Sequence, residues 1–412
     1  MGFAQLTRNL RGLREAHEPS FPASHFLSQM NRIPYWRLSG FYFFYFSTLG
    51  SFLPYWGLYL QSLGFSPRQI GTLMALLAGT KIVAPNMLGW LGDRRGRSMA
   101  LIRIASFAAV IAFSGVFVDS GYRWLMLVTV VFSFFWNAAL PQFEAVTFSH
   151  LKGRTHHYSL VRMWGSIGFI AAVMGVGVLL DYHDIAMLPV MISTLMATIW
   201  LITHTVPESA AIEHSKARSS LRQIIKRPDV LALLATVLLV QAAHGPYYVF
   251  FSIDLEDHGY TGTQIGLLWS LGVVAEVFLF LVMHRILKRF TLRHILMVSV
   301  FLNIVRWLLI GWGIGHVAAL VAAQVLHAAT FGSTHVAAIQ LIHRAFYGAH
   351  QGKGQALYSS VGFGLGGMIG SYYAGLAWEA RGPVFVFTSA AGLSVLAFLI
   401  VWRWVGKRKF EV

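Results

Sequence analysis

Stretches of about 20 mainly apolar residues recur along this chain, near 38 to 62, 68 to 91, 99 to 118, 122 to 148, 157 to 181 and 185 to 205. After a gap they resume near 229 to 253, 262 to 284, 294 to 314, 316 to 343, 354 to 378 and 382 to 405. Each is long enough to cross roughly 30 Å of hydrocarbon as a helix. Hydrocarbon offers the backbone no hydrogen bonds, so each segment must pair its own amides and carbonyls, which a helix does. The expected fold is therefore all-α, with twelve transmembrane helices. Only 12% of the 412 residues are charged and 56% are hydrophobic, against roughly 25% charged in an ordinary soluble domain. A soluble fold is excluded, and the short connections leave no room for a soluble catalytic domain, so no enzyme is expected.

The 32 Lys+Arg against 16 Asp+Glu give a formal charge of +16. In a soluble chain that would suggest nucleic acid; here its distribution reports topology, and no nucleic-acid partner is expected. If the chain starts inside, most of the basic residues fall at the N-terminus, in the even-numbered connections and at the C-terminus, with Arg68, Arg123 and Arg381 outside. That asymmetry places both termini in the cytoplasm and leaves Lys81 and Arg306 within the membrane. The expected divisions are a cytoplasmic segment (1–37), a six-helix bundle (38–205), a cytoplasmic linker (206–228), a second six-helix bundle (229–405) and a cytoplasmic tail (406–412). The first segment is polar and Arg-rich with no apolar core, so no cleaved signal is expected. The absence of cysteine removes disulfides, thiolate nucleophiles and cysteine metal sites. No G-x-x-x-x-G-K-[ST], H-E-x-x-H or G-x-S-x-G pattern occurs. No cofactor and no metal are expected.

The chain repeats itself. A shift of 195 residues sets "YLQSLGFSPRQIGTLMAL" (59 to 76) on "DLEDHGYTGTQIGLLWSL" (254 to 271), with Gly64, Gln69, Ile70 and Gly71 meeting Gly259, Gln264, Ile265 and Gly266. A shift of 194 sets "SIGF" (166 to 169) on "SVGF" (360 to 363). Nearly constant offsets indicate duplication. The loop after helix 2, "GWLGDRRGR" (89 to 97), carries Gly89, Asp93, Arg94, Gly96 and Arg97 in the pattern G-x-x-x-D-R-x-G-R. It resembles the signature of the major facilitator superfamily, whose two six-helix halves enclose a substrate site near the midplane. The resemblance implies a gating role for these five residues. Their chemistry suits it: the acid can meet the positive end of a helix, and the arginines can bind carboxylates or lipid phosphates.

Within that superfamily, "LPYWGLYL" (53 to 60), "GPYY" (245 to 248), "LEDHGYTGTQIGLLWSLGVVAEV" (255 to 277) and "GKGQALYSSVGFGLGG" (352 to 367) resemble the 3-phenylpropionate permease family over nearly all of 34 to 405. The resemblance implies a proton-coupled symporter of the bacterial inner membrane that imports a small aromatic or other organic acid by alternating access. It also implies a multi-pass monomer whose partners are its substrate, protons and membrane lipids. Sugar or nucleoside import, and drug efflux, are the alternatives.

An ionisable side chain at membrane depth is expensive and by default functional. Lys81 on helix 2 and Glu276 on helix 8 lie 195 residues apart, at equivalent places in the repeat, and could face each other or a shared cavity between the halves. Glu144 near the end of helix 4 and Arg162 near the start of helix 5 lie at matching depth and can pair. "RMWGSIGF" (162 to 169) resembles the lactose permease branch, which maps Glu276, Arg306 and His327 onto proton coupling and finds Thr330 where that branch has a glutamate. His335, two turns along the face of His327, joins this group because histidine titrates near neutrality. The expected substrate contacts are Lys81, Glu144 and Arg162, with Tyr55, Trp56, Tyr247 and Tyr248 as an aromatic wall.

Overall fold

The computed structural model describes residues 33–95, 98–151, 155–208 and 221–406, and every regular element among them is helical. In chain order these are α1 (Tyr35–Ser62), α2 (Pro67–Arg95), α3 (Ser98–Phe113), α4 (Tyr122–Leu151), α5 (Thr155–Leu180) and α6 (Leu188–Thr205). They are followed by α7 (Pro228–Asp257), α8 (Gly262–Arg289), α9 (Leu292–Gly313), α10 (Val317–Ala345) and α11 (Gln351–Trp404). The last ten are long and apolar enough to cross a membrane. At 28 residues α1 is equally long, but its tyrosines, serines and glycines dilute its hydropathy. Most of it is buried, including Tyr42, Tyr45, Ser47, Thr48, Ser51 and Tyr55, so it packs against protein rather than lipid.

The expected spans match these helices to within a few residues, with one difference. Spans 354 to 378 and 382 to 405 form one element broken only at Gly382, whose backbone is non-helical (φ 76°, ψ 179°). A left-handed φ is accessible to glycine at little cost, and Pro383 then fixes the next helical φ. Two arms, 351–381 and 383–404, result. Two further irregularities have no sequence signature: α10 and α11 each contain a π-helical turn, Ala328–Gly332 and Ser360–Gly366. Such turns recur at functional sites.

The duplication is visible in the local chemistry that starts α2 and α8. Gly64 and Gly259 both take positive φ, 82° and 81°, turning the chain back toward the membrane. Each turn then closes with a reciprocal cap. The Ser66 amide donates to Gln69 Oε1 at 2.9 Å and the Gln69 amide to Ser66 Oγ at 3.4 Å. The Thr261 amide donates to Gln264 Oε1 at 2.9 Å and the Gln264 amide to Thr261 Oγ1 at 3.3 Å.

Helices α1 to α6 pack mainly among themselves, as do α7 to α11. The seam between these groups is made by α2 on α11, α5 on α8 and α1 on α7. Glycine lets the backbones touch at one end of it. A Cβ at Gly71 would stand 2.7 Å from Ser371 O and Gly375 Cα, and one at Gly57 would stand 2.7 Å from Val249 O. A Cβ at Gly177 would overlap the Gly262 carbonyl. Two carboxylates latch the same end, each accepting from the first turn of a helix in the other group, where the macrodipole favours negative charge. Asp181 accepts from the Thr263 amide at 3.1 Å and from its hydroxyl. Glu379 accepts from Ser66 Oγ at 3.0 Å and the Arg68 amide at 3.1 Å. Asp181 and Glu379 lie 198 residues apart, as do Gly177 and Gly375, so the latch is duplicated with the fold.

Partial burial pushes the Asp181 carboxyl up, but hydrogen bonds from Thr263, the Gly262 amide and Thr261 outweigh it and hold the group below the usual carboxylate range. A carboxyl depressed in the folded state contributes stability that is present above its unfolded value, near about pH 4, and lost as pH falls through the lower folded value. Asp181→Asn is therefore expected to unfold at a lower temperature than the parent at pH 7, with the gap closing below about pH 4. Thermal unfolding in detergent at both pH values checks it; a gap that persists unchanged at low pH contradicts it.

Candidate functional site

Three helices of the first group bring one polar cluster together. Tyr42 and Phe46 come from α1, Glu144 and Thr147 from α4, and Tyr158 and Arg162 from α5. The Arg162 guanidinium lies over the Phe46 ring at 3.9 Å and the Tyr42 ring at 5.6 Å. Cation–π contacts of this kind hold a cation without neutralising it. Glu144 Oε1 accepts from the Tyr158 hydroxyl at 3.3 Å, and Tyr42 donates to Thr147 Oγ1 at 3.2 Å. Gly165 makes room for this arrangement: a Cβ there would stand 2.6 Å from Arg162 Nη1 and 2.8 Å from Phe46. Glu144 and Arg162, expected as a pair, share the cluster but do not close to an ion pair, because the tyrosine hydroxyl and the aromatic rings occupy them instead.

The expected pairing of Lys81 with Glu276 does not form either: no ion pair between them lies within 4 Å among the described residues. The symmetry explains why. The duplication that makes α2 and α8 equivalent also makes α5 and α11 equivalent, so the seam joins α2 to α11 and α8 to α5. Lys81 precedes Ile82, which packs on Gly364 of α11, and farther along α2 Asn86 Nδ2 donates to Ser360 Oγ at 3.2 Å. Glu276 sits against the π turn of α10, where a Cβ at Gly332 would meet its Oε1 at 3.4 Å.

The second group holds its own polar cluster. Arg306 on α9 is fully buried, with Nε donating to Ala323 O at 3.1 Å and the guanidinium over the rings of Tyr247 at 4.4 Å and Trp307 at 4.5 Å. Tyr247 donates to Gln324 Oε1 at 2.9 Å. His244 and His327 have ring centroids 6.4 Å apart, and Phe331 stacks on His327 at 5.2 Å. His335 is held separately, its Nδ1 2.8 Å from the Tyr358 hydroxyl, beside a small cavity lined by Gln241, Thr330, Phe331 and Thr334. Sequence reasoning set Arg306 and His327 in one functional group but missed Gln324 and Asn303, uncharged residues that no pattern singles out.

The aromatic expectations divide. Tyr55 is fully buried at the latched end, donating to Val173 O at 2.7 Å, and Trp56 stacks on Phe52 at 4.8 Å. Tyr247 is buried between Arg306 and Trp269, whereas Tyr248 is half-buried. Of the gating-loop pattern, Gly89 packs against Gln142 of α4; Asp93, Arg94, Gly96 and Arg97 lie outside the residues described in full.

A family model described as "MFS_1 like family" matches residues 35–389. The chain is 30% identical over 356 residues to a probable 3-phenylpropionic acid transporter of Escherichia coli (strain K12), covering 83% of this chain and 90% of that one. It is 26% identical to a maltose permease of Geobacillus stearothermophilus, covering 88% and 93%. Among solved structures it is similar to the nucleoside transporter NupG, with a TM-score of 0.80 at 18% identity over 89% of this chain and 98% of that one. A bacterial homologue of the human lysosomal transporter Spinster aligns with a TM-score of 0.66 at 14% identity, covering 90% and 98%. The apolar helices, the seam and this likeness agree: the chain belongs to the MFS_1 like family and is an integral membrane transporter of the major facilitator superfamily.

Proposed function

We propose that the protein is a proton-coupled symporter that imports a small aromatic or other organic acid, of the kind of 3-phenylpropionate, by alternating access. Counting α1 and splitting α11 at Gly382 gives twelve spans, read as two six-helix bundles over 38–205 and 229–405, joined by the linker 206–228. Both termini are then cytoplasmic, the membrane is the bacterial inner membrane, and the latched end is the outer face. The loop 89 to 97 acts as the inner gate, and the unit is a monomer.

The observation that carries the reading is Arg162. It lies over the rings of Phe46 and Tyr42, in the cluster that also holds Glu144 through the Tyr158 hydroxyl. A cation with neighbouring rings suits an aromatic carboxylate, and half-buried acids at membrane depth, Glu144 and Glu276, suit carriage of the proton. Lys81, Tyr55, Trp56, Tyr247 and Tyr248 complete the proposed substrate contacts, and Arg306, His327 and His335 the proposed proton path. The likeness to a probable 3-phenylpropionic acid transporter supports the substrate class. A second reading, sugar import, is favoured by the hydroxyl-compatible set Glu144, Tyr158 and Thr147 and by the likeness to a maltose permease.

Uptake of labelled 3-phenylpropionate into proteoliposomes with an imposed pH gradient, against protein-free liposomes, tests the proposal. Accumulation that an uncoupler collapses is the expected result, with Lys81→Ala and Arg162→Ala both reduced at least about tenfold, the effect of about 1.4 kcal/mol. Uptake indifferent to the uncoupler and to pH between about 5 and 9 contradicts symport. Maltose accumulating in its place establishes the second reading.

A further inference from the structure

We infer that the buried polar cluster around Arg306 is an anion-binding site, built for a carboxylate or a small inorganic anion such as chloride. Arginine stays charged in proteins, and a buried charge is strongly unfavourable unless something pairs with it. Arg306 is fully buried, yet among the described residues no acidic side chain forms an ion pair with it. Its Nε is used by Ala323 O, whereas Nη1 and Nη2 have no well-aligned acceptor and only the neutral Tyr247 hydroxyl within reach. The Tyr247 hydroxyl stands beside the guanidinium, but that proton is given to Gln324 Oε1 and the hydroxyl carries no negative charge.

The atoms around the guanidinium are short of the same kind of partner. Gln324 Nε2 and Asn303 Nδ2 are donors on fully buried side chains, and neither has an acceptor. Trp307 Nε1, another donor, is in the same position. Helices α9 and α10 therefore carry, beside this cation, three buried N–H groups without an acceptor, and among the described residues no acid pairs with it. An acceptor carrying negative charge satisfies the guanidinium and these N–H groups together, leaving Asn303 Oδ1, also unpartnered, for a donor. Phe331 covers the rings of His244 and His327 on one side and lines the cavity next to His335 on the other. It belongs to the π turn Ala328–Gly332. The inference deepens the transport reading and rests on it only for the route by which the anion arrives.

The test is thermal unfolding of the full chain in detergent at constant ionic strength, with three additions: 3-phenylpropionate, its neutral amide and chloride. A ligand at about 100 times its Kd is expected to raise the parent's Tm by a few degrees, on the order of 3 °C. Arg306→Gln should lose that rise without falling in anion-free buffer, because it removes a charge that the empty protein leaves unpaired; Arg306→Lys should keep part of it. A rise with 3-phenylpropionate but not with its amide or chloride assigns the site to an organic carboxylate, and a rise with chloride alone to an inorganic anion. No anion-specific rise in the parent, or one that survives in Arg306→Gln, overturns the inference. A lower Tm for Arg306→Gln in anion-free buffer also overturns it, since that is what a purely structural arginine predicts. Solute uptake by the same preparation keeps the two readings apart: a transporting parent without the rise refutes the site alone, and a parent with the rise but no transport refutes the transport reading.

Discussion

Replacing Gly177 by leucine is expected to abolish transport while leaving the protein folded. A Cβ at this position would overlap the Gly262 carbonyl and stand 2.7 Å from the Tyr55 hydroxyl, so not even alanine fits while α5 and α8 remain in contact. Overpacking of this kind costs about 1–3 kcal/mol where the surroundings must deform. A seam between two separately packed groups can part instead, and 3 kcal/mol is roughly a hundredfold shift between the sealed and parted states. Uptake should therefore fall by about that factor, with Tm changing by only a few degrees. Gly370→Leu is the contrasting case. Its Cβ would overlap the Ala242 carbonyl within the second group, where α7 and α11 cannot separate without unfolding, so that variant should fail to yield monodisperse protein. Normal uptake by Gly177→Leu would mean that the sealed end does not need to close during transport.

Arg162→Gln is expected to have the second large effect. The arginine holds its place over Phe46 and Tyr42, in the cluster that contains Glu144 and Tyr158. Neutralising it removes the cation of this cluster, which the proposed function uses to hold the substrate carboxylate. Uptake should fall at least about a hundredfold. Arg162→Lys should recover only part of the activity, because a point charge does not reproduce a planar cation lying on two rings. Glu144→Gln in the same chain should restore some of the lost stability but none of the uptake. A double-mutant cycle of thermal unfolding, read beside transport, separates the two effects. Additive losses in both measurements would show that Arg162 and Glu144 act independently.

These expectations show where sequence reasoning reaches and where it stops. Span positions were legible because hydrocarbon forces each helix to announce itself by length and composition. The starts of α2 and α8 were legible through the duplicated Gly64/Gly259 and Gln69/Gln264, which the structure uses as turn and cap. The Lys81–Glu276 pairing failed because an offset reveals equivalence, and equivalent helices in a two-fold arrangement need not touch; α2 meets the counterpart of α5. The signal for the latches was present in the 198-residue offset of Asp181 and Glu379, but two exposed acids near span ends look like ordinary loop charges. Gln324 and Asn303 were invisible, since their importance comes from what surrounds them and not from their spacing. The π turns had no signal beyond the glycines of "GFGLGG".

Under the proposed function the two helical groups rock about their seam, with the latched end opening in turn. The absence of native cysteine allows spin labels to be placed cleanly at His183→Cys and Asp257→Cys, exposed positions on opposite groups beyond the Asp181 latch. Pulsed electron paramagnetic resonance in lipid should give two distance populations, with substrate and acid pH changing their ratio and Gly177→Leu leaving mainly the longer one. One short distance, unchanged by substrate, by pH and by that substitution, would contradict the claim.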